Sequence, residues 1–398
     1  MKRLNMLVSI VLLFALQAGA GEVEKKDALF PVMAWDMAPS DPGQLGKMKE
    51  CGINIAGFAT IGQLDAIRAA GMKAILTDAR TRDYDWSKVD AQVARKNVES
   101  LIAEVKDHPA VYGFHLRDEP SAQWFPGLEK VASVVREKAP GKWAYINLFP
   151  NYAEPWQLGT KTYEEYLEKF VATCHPPILS YDHYALREDG SLGGDYWRNL
   201  EQMRAAALAA KVPFWNIVLA VAHFSNREVS AADFRFQAYS TLACGGRGIA
   251  YFKYFTPAVG NYRGGPIDQF GNETPAWGAM RSVNKQIEKL APTMLKLRSD
   301  RVYHFGNVPA GCHGVEDQSL ASDMGGEQMM VGDFTHEDGS RWVMIVNRDV
   351  DRSHPCLVKF RKEPKWVRVM SAYIGELMEF EGEQRWLGPG QGVLLKVE

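Results

Sequence analysis

Eight short runs rich in Val, Ile and aromatic residues, each followed by a helix-like stretch, constrain this chain more than any other feature. The runs are Phe30–Asp36, Ile53–Phe58, Met72–Thr77, Val111–Leu116, Trp143–Leu148, Ile178–Asp182, Pro213–Ala220 and Gly248–Phe255. Between them lie segments with helical patterning, among them Ile61–Ala70, Trp86–Asp107, Trp124–Lys138, Tyr163–Thr173, Tyr196–Ala210 and Ala231–Ala243. Strand alternating with helix requires parallel strands joined by right-handed crossovers. Eight such units in about 250 residues fit a closed (β/α)8 barrel. A doubly wound sheet would also alternate, but no GxGxxG turn follows the first run. The glycines at 245, 246 and 248 precede a strand and not a helix, so they read as a tight turn and not as a phosphate cradle.

A long helix, Trp277–Leu297, closes this pattern. From about Ser299 the segments Met329–Phe334, Trp342–Asn347, Cys356–Phe360, Val367–Tyr373 and Gly392–Val397 are short and separated by polar turns. They predict a small all-β sandwich. The other end of the chain is an address. Lys2 and Arg3, an apolar run from Met6 to Leu16 and Ala18-Gly19-Ala20 have the layout of a cleavable signal peptide with cleavage after Ala20. The expected division is residues 1–20 as leader, 21–297 as barrel and 298–398 as sandwich, in a periplasmic or secreted protein. No later stretch reaches the roughly 20 apolar residues of a membrane span. A net charge of −2 without a Lys/Arg block argues against nucleic acid as a partner. Five cysteines include no CxxC pair, and the odd number leaves at least one thiol free; Cys312 and Cys356 are near enough in sequence to pair within the tail.

In a (β/α)8 barrel chemistry sits at the C-terminal ends of the strands. The fourth run ends His115-Leu116-Arg117-Asp118-Glu119-Pro120. Simple alternation places Glu119, Arg117 and His115 on one side. Asp118 raises the pKa of Glu119 by like-charge repulsion and burial adds to this, while Arg117 opposes both, so Glu119 is a candidate proton donor. The alternative is a structural ion-pair network, with Pro120 opening the next helix. The sixth run ends Tyr181-Asp182-His183-Tyr184, where Asp182 can position a water or simply cap a turn. Trp35, Asp36, Asp78 and Asn147 stand at other strand ends. Trp35, Tyr184, Trp215 and Tyr254, like Trp156 and Trp197, offer faces on which a sugar ring stacks, although any one of them can equally be core. His115, Asp118, Glu119 and Asp182 carry metal-ligating atoms, but no close His pair accompanies them. GxSxG is absent.

The segments GFHLRDEP, ILSYDHY and ACGGRGIAYFKYFTP, with the helix PAWGAMRSVNKQIEKLAPTMLKL and the ending LGPGQGVLLKVE, resemble the clan A glycoside hydrolases, especially bacterial relatives of the barrel β-galactosidases. The resemblance implies that Glu119 is the general acid/base, with Asp118 where that clan carries an Asn that contacts the sugar 2-hydroxyl. It also implies a nucleophilic Glu at the end of the seventh strand, where this chain reads Asn216 to His223 without a carboxylate. The nearest, Glu228, lies in a loop before the helix cap Ser230. The YD of the sixth run is also found in chitinase-type barrels, but their DxxDxDxE is replaced here by Tyr112, His115 and Arg117 before Glu119.

The reading is a glycoside hydrolase cleaving O-glycosidic bonds, with Glu119 and Asp182 catalytic. Trp35, Asp36, Asp78, His115, Arg117, Asp118, Asn147, His183, Tyr184, Trp215 and Tyr254 are assigned to substrate binding. No cofactor or metal is called for, and carbohydrate is the expected partner. The competing reading is a barrel that binds carbohydrate without cleaving it.

Overall fold

The computed structural model describes residues 29–381 and 385–398, so the leader lies outside the described residues. Eight parallel strands close in chain order into a barrel: β1 Val32–Ala34, β2 Ile55–Ala59, β3 Lys73–Leu76, β4 Val111–Asp118, β5 Trp143–Leu148, β6 Leu179–Asp182, β7 Phe214–Leu219 and β8 Ile249–Phe252. β1 pairs with both β2 and β8, which removes the sheet edges. Each strand lies within one of the eight apolar runs or extends past it by at most two residues, because a barrel strand buried on both faces has to be apolar on both.

Alternation divides these residues between two cores. Met33, Ile75, Tyr145, Trp215 and Ile217 fill the barrel interior, while neighbours such as Ala74, Leu76, Ile146 and Val218 pack outward under the helices. The buried polar residue Asn216 also points outward, where its side-chain amide donates to Thr241 Oγ1 at 2.9 Å.

The helix expected over 277–297 runs from Pro275 to Met294. Leu297 is already the first residue of a strand, β9 Leu297–His304, which sequence patterning had not separated from the helix. The remaining strands are β10 Ala321–Asp323, β11 Met329–His336, β12 Arg341–Asn347, β13 His354–Pro355, β14 Lys359–Phe360, β15 Val367–Met370, β16 Leu377–Glu379, β17 Trp386–Leu387 and β18 Gly392–Val397. A six-stranded sheet in the order β16-β15-β18-β12-β11-β9 is one layer, and the two-stranded ribbons β10-β14 and β13-β17 cover its far side. Along β12, Met344 and Val346 join the core shared with the barrel, while Val343 and Ile345 face the ribbons. Cys312 packs against the first of these cores and Cys356 sits in the second, and both thiols are free.

The sheet seats on the barrel helix Ala231–Ala243 through glycines. A Cβ on Gly332 would lie 2.0 Å from Ala243 O, and one on Gly392 would lie 2.3 Å from the Tyr239 ring. Both contacts require the close approach that only glycine permits. Gly332→Ala should therefore destabilise the protein by about 1–3 kcal/mol through overpacking. Gly46→Ala, whose Cβ would meet nothing within 4 Å in the helix Pro42–Glu50, should instead gain about 0.5–1 kcal/mol. Urea denaturation of the two variants checks both signs.

Candidate active site

The site begins at a fault in β4. Its pairing with β5 runs His115 to Tyr145 and then Arg117 to Ile146, so one residue, Leu116, is bulged out of register. The bulge reverses the expected alternation. His115 faces the interior, Arg117 turns outward over the Trp124 ring at 5.0 Å, and Asp118 comes inward opposite Asn147. Glu119 follows with a left-handed φ of 45°, its N–H donating to Asn147 O at 2.9 Å. A non-glycine residue held there costs about 1–3 kcal/mol, and such strain clusters at functional sites. The two devices bring adjacent carboxylates, Asp118 and Glu119, into one cavity.

Asn147, at the end of β5, organises the acids. Its Nδ2 donates to Asp118 Oδ1 at 3.0 Å and to Asp182 Oδ1 at 2.8 Å. Its Oδ1 accepts from Ser180 Oγ at 3.0 Å, and Ser180 Oγ is 2.9 Å from Tyr145 OH. Because Ser180 spends its proton on Asn147, Tyr145 donates to Ser180, and every proton in the chain is placed.

Burial raises the pKa of all three carboxyls. Glu119 is pushed up to about 7 by burial and by the neighbouring Asp118 charge. Asp118 is raised by burial against the opposing Asn147 donor and Arg117 charge. Asp182 is raised well above the carboxylate range by burial, then by Glu119 and Asp118. Groups this close titrate as a set.

The cavity holds about 440 Å³ and is lined by Asp118, Glu119, Asn147 and Asp182 on its acidic side. Trp35, Tyr184 and Phe252 form an aromatic wall, with Tyr184 and Phe252 ring centroids 5.3 Å apart and Trp35 and Phe252 5.9 Å apart. The buried indole N–H of Trp35 has no acceptor among the described residues. Tyr152, Arg187, His223, Phe224, Asn226 and Tyr262 complete the lining.

Six of the thirteen residues singled out from the sequence thus meet in one cavity: Glu119, Asp182, Trp35, Asp118, Asn147 and Tyr184. The other seven lie off its lining. Asp36 ties the ends of β1 and β8 together through Lys253 Nζ at 3.0 Å and Phe255 N at 3.3 Å. Asp78 caps the short helix Ala79–Arg82 and is bound by both Nε and Nη2 of Arg80, which holds its carboxyl below the ordinary range. His115 lies flat on Phe58 with ring centroids 4.3 Å apart, and burial lowers its pKa to about 3. Arg117 is turned away by the bulge. His183 stands one layer back, its Nδ1 2.9 Å from Asn199 Oδ1 and its ring edge-on to Tyr152. Trp215 fills the barrel interior against Trp143, and Tyr254 accepts from Trp277 Nε1 at 2.9 Å. Of the further stacking candidates, Trp197 is buried and Trp156 is exposed, and neither lines the cavity.

Sequence reasoning missed Tyr152, Arg187, Ile217, His223, Phe224, Asn226, Phe252 and Tyr262. Most stand on the segments after β5, β6, β7 and β8, and the length of the connections over 183–195, 220–230 and 253–274 was the available signal, since long loops in compact domains carry function. β7 contributes Ile217 and, beyond its end, His223, but no carboxylate. Glu228 is 63% exposed beside Arg263 and does not line the cavity. Among the described residues no group of three or more His, Cys, Asp or Glu gathers to hold a metal, and no helix is long and apolar enough to cross a membrane.

No family model matches the chain, and no curated protein is similar to it in sequence. Solved structures do share its fold. A family 5 glycoside hydrolase from Bacteroides vulgatus superposes with a TM-score of 0.58 at 13% identity, over 93% of this chain and 90% of that one. A second structure, described as a glycoside hydrolase, gives 0.55 at 13% identity over 92% of each chain. A catalytic mutant of a family 42 β-galactosidase from G. stearothermophilus gives 0.53 at 10% identity, over 93% of this chain and 98% of that one. At these identities the likeness establishes a common fold, barrel and β domain together.

The raised pKa of Asp182 has a consequence for stability. A carboxyl whose folded-state pKa lies above its unfolded value of about 4 weakens the fold as pH rises through that interval. Asp182→Asn keeps an acceptor for Asn147 and removes the ionisation. It should raise Tm at pH 8 by at least about 2 °C, with the gain shrinking towards pH 4. Calorimetric scans at the two pH values check it.

Proposed function

We propose that the protein is an exported glycoside hydrolase that cleaves O-glycosidic bonds of an oligo- or polysaccharide, with Glu119 as general acid. The observation that carries this reading is the trio Asp118, Glu119 and Asp182 at the C-terminal rim of the barrel, beside aromatic faces suited to a sugar ring. The shared fold with solved glycoside hydrolases supports it, and the leader-like residues 1–20 support a periplasmic or secreted location.

The trio binds protons as a set, and Asn147 biases where they sit. Asn147 donates to Asp118 and Asp182, which favours their charged forms, while among the described residues no donor faces Glu119. Glu119, pushed up to about 7, carries a proton near neutral pH and has no such donor bond holding its charged form. It passes this proton to the leaving glycosidic oxygen as the C–O bond breaks. In its ionised form, to which Asn147 donates, Asp182 accepts a proton from the water that bonds to the anomeric carbon, giving a single displacement. The lack of a β7 carboxylate in the cavity supports this over a covalent intermediate. The same lack favours the second reading, a barrel that binds carbohydrate without cleaving it.

Glu119→Gln keeps the shape and removes the proton. On a glycoside with a poor leaving group kcat should fall by about 10²–10⁴-fold, and much less on an activated aryl glycoside. The wild-type rate should decline as pH rises past about 7, where Glu119 ionises. Reducing-end release from a glycan panel measures both, and no release by the wild type would leave the binding reading standing.

Stereochemistry tests the role of Asp182. Proton NMR of the first-formed product should show inversion at the anomeric carbon. Retention, or a sugar trapped on a carboxylate, would remove Asp182 as the water-activating base.

A further inference from the structure

The cavity has a basic side that the proposed reaction does not use. Arg187 lines it from the segment after β6, where its backbone bridges to Asn226. Its Nη1 donates to Asn226 Oδ1 at 2.8 Å. An arginine only donates, so the Asn226 oxygen faces it and the Asn226 amide faces His223 Nε2 at 3.3 Å. His223 Nε2 then accepts, and its Nδ1–H donates to Val221 O at 3.0 Å. Burial, with the Arg187 charge adding to it, lowers the His223 pKa and keeps the ring neutral. This chain of fixed protons holds the guanidinium in one place.

Among the described residues no ion pair holds that guanidinium, and the acid on which its charge acts, Asp189, is exposed and outside the cavity lining. Among the described residues no carboxylate lies within 4.0 Å of it, whereas Arg263 on a neighbouring loop has both Glu188 and Glu228. Nor does it serve the acids: the charges acting on Asp118 are those of Arg117 and Arg82, and those acting on Glu119 and Asp182 are the other acids of the trio. Arg187 instead acts on Tyr152, His183 and His223, and among acids on the exposed Asp189 two residues along its own loop. A cation held this firmly, unpaired and facing a ligand cavity, matches a bidentate oxyanion better than a hydroxyl.

We infer that Arg187 is an anion-recognition residue and that the sugar bound in this cavity carries a negative charge, as a uronate carboxylate or a sulfate ester. The inference rests on the carbohydrate reading of the site. It places the charged substituent at Arg187, the cationic residue of the lining.

The test is calorimetric binding of D-glucuronate, D-galacturonate, glucose 6-sulfate and galactose 6-sulfate against glucose and galactose, at low and high salt. At least one charged sugar should bind about tenfold or more tightly than its neutral parent, a margin expected of charge-assisted hydrogen bonds, and should weaken with salt. Preference for the uronates identifies a carboxylate, and preference for the 6-sulfates identifies a sulfate ester. Arg187→Met should abolish the charged-to-neutral ratio and Arg187→Lys should keep part of it. Charged sugars binding no tighter than neutral ones, or not at all, would overturn the inference, as would a ratio unmoved in Arg187→Met. The outcomes also separate the two readings. Binding of charged sugars without cleavage of any glycoside would retain Arg187 and reject hydrolysis. Equal cleavage of neutral and charged glycosides would do the reverse.

Discussion

One side-chain amide governs the candidate site. Asn147 presents both protons of its Nδ2 to carboxylates on flanking strands, Asp118 from β4 and Asp182 from β6, and fixes its own orientation by accepting from Ser180. Without that donor, two buried acids would face each other with mutual repulsion and desolvation, opposed at Asp118 by the Arg117 and Arg82 charges. With it, each has a donor that opposes part of the burial and repulsion raising its pKa. The strained φ of Glu119, its backbone bond to Asn147 O and the bulge at Leu116 all serve to bring the third carboxyl to the same place. The geometry of the rim is therefore a property of the β4–β5 pair more than of any single residue.

The cavity divides electrostatically. Its acidic half comes from strand ends, where backbone pairing fixes positions closely. Its other half, with Arg187, Asn226, His223, Phe224 and Tyr262, comes from loops held by hydrogen bonds and isolated bridges. This division suits a barrel in which the chemistry stays on rigid elements and recognition is delegated to connections that vary in length. The β domain lies against the helix Ala231–Ala243, which follows the β7 loop, and close approach at Gly332 and Gly392 makes barrel and sheet share one core.

The acidic strand ends were legible in the sequence because each closes an apolar run, and a polar residue there has few places to go but the rim. Asp36 and Asp78 satisfy the same rule and still turn away, one to Lys253 and one to Arg80. Composition at a strand end does not reveal which partner a carboxylate will find, because the partner comes from elsewhere in the chain or from the next turn. Arg117 was misplaced for a different reason. Alternation assumes unbroken pairing, and a one-residue bulge inverts the facing of everything after it. The sequence carries no mark of that bulge.

What the sequence by itself determined is the architecture: eight buried strands alternating with helices, a β domain after the last helix, and a Glu flanked by an acid at the end of the fourth strand. Hydrophobic periodicity is local, so it can be read along the chain. Tertiary structure alone decided which acids meet, that Asn147 links two of them, that β7 offers Ile217 in place of a carboxylate, and that an unpaired Arg187 faces them. Those facts depend on contacts between residues distant in sequence, and on a bulge and a left-handed residue whose cost the folded whole repays.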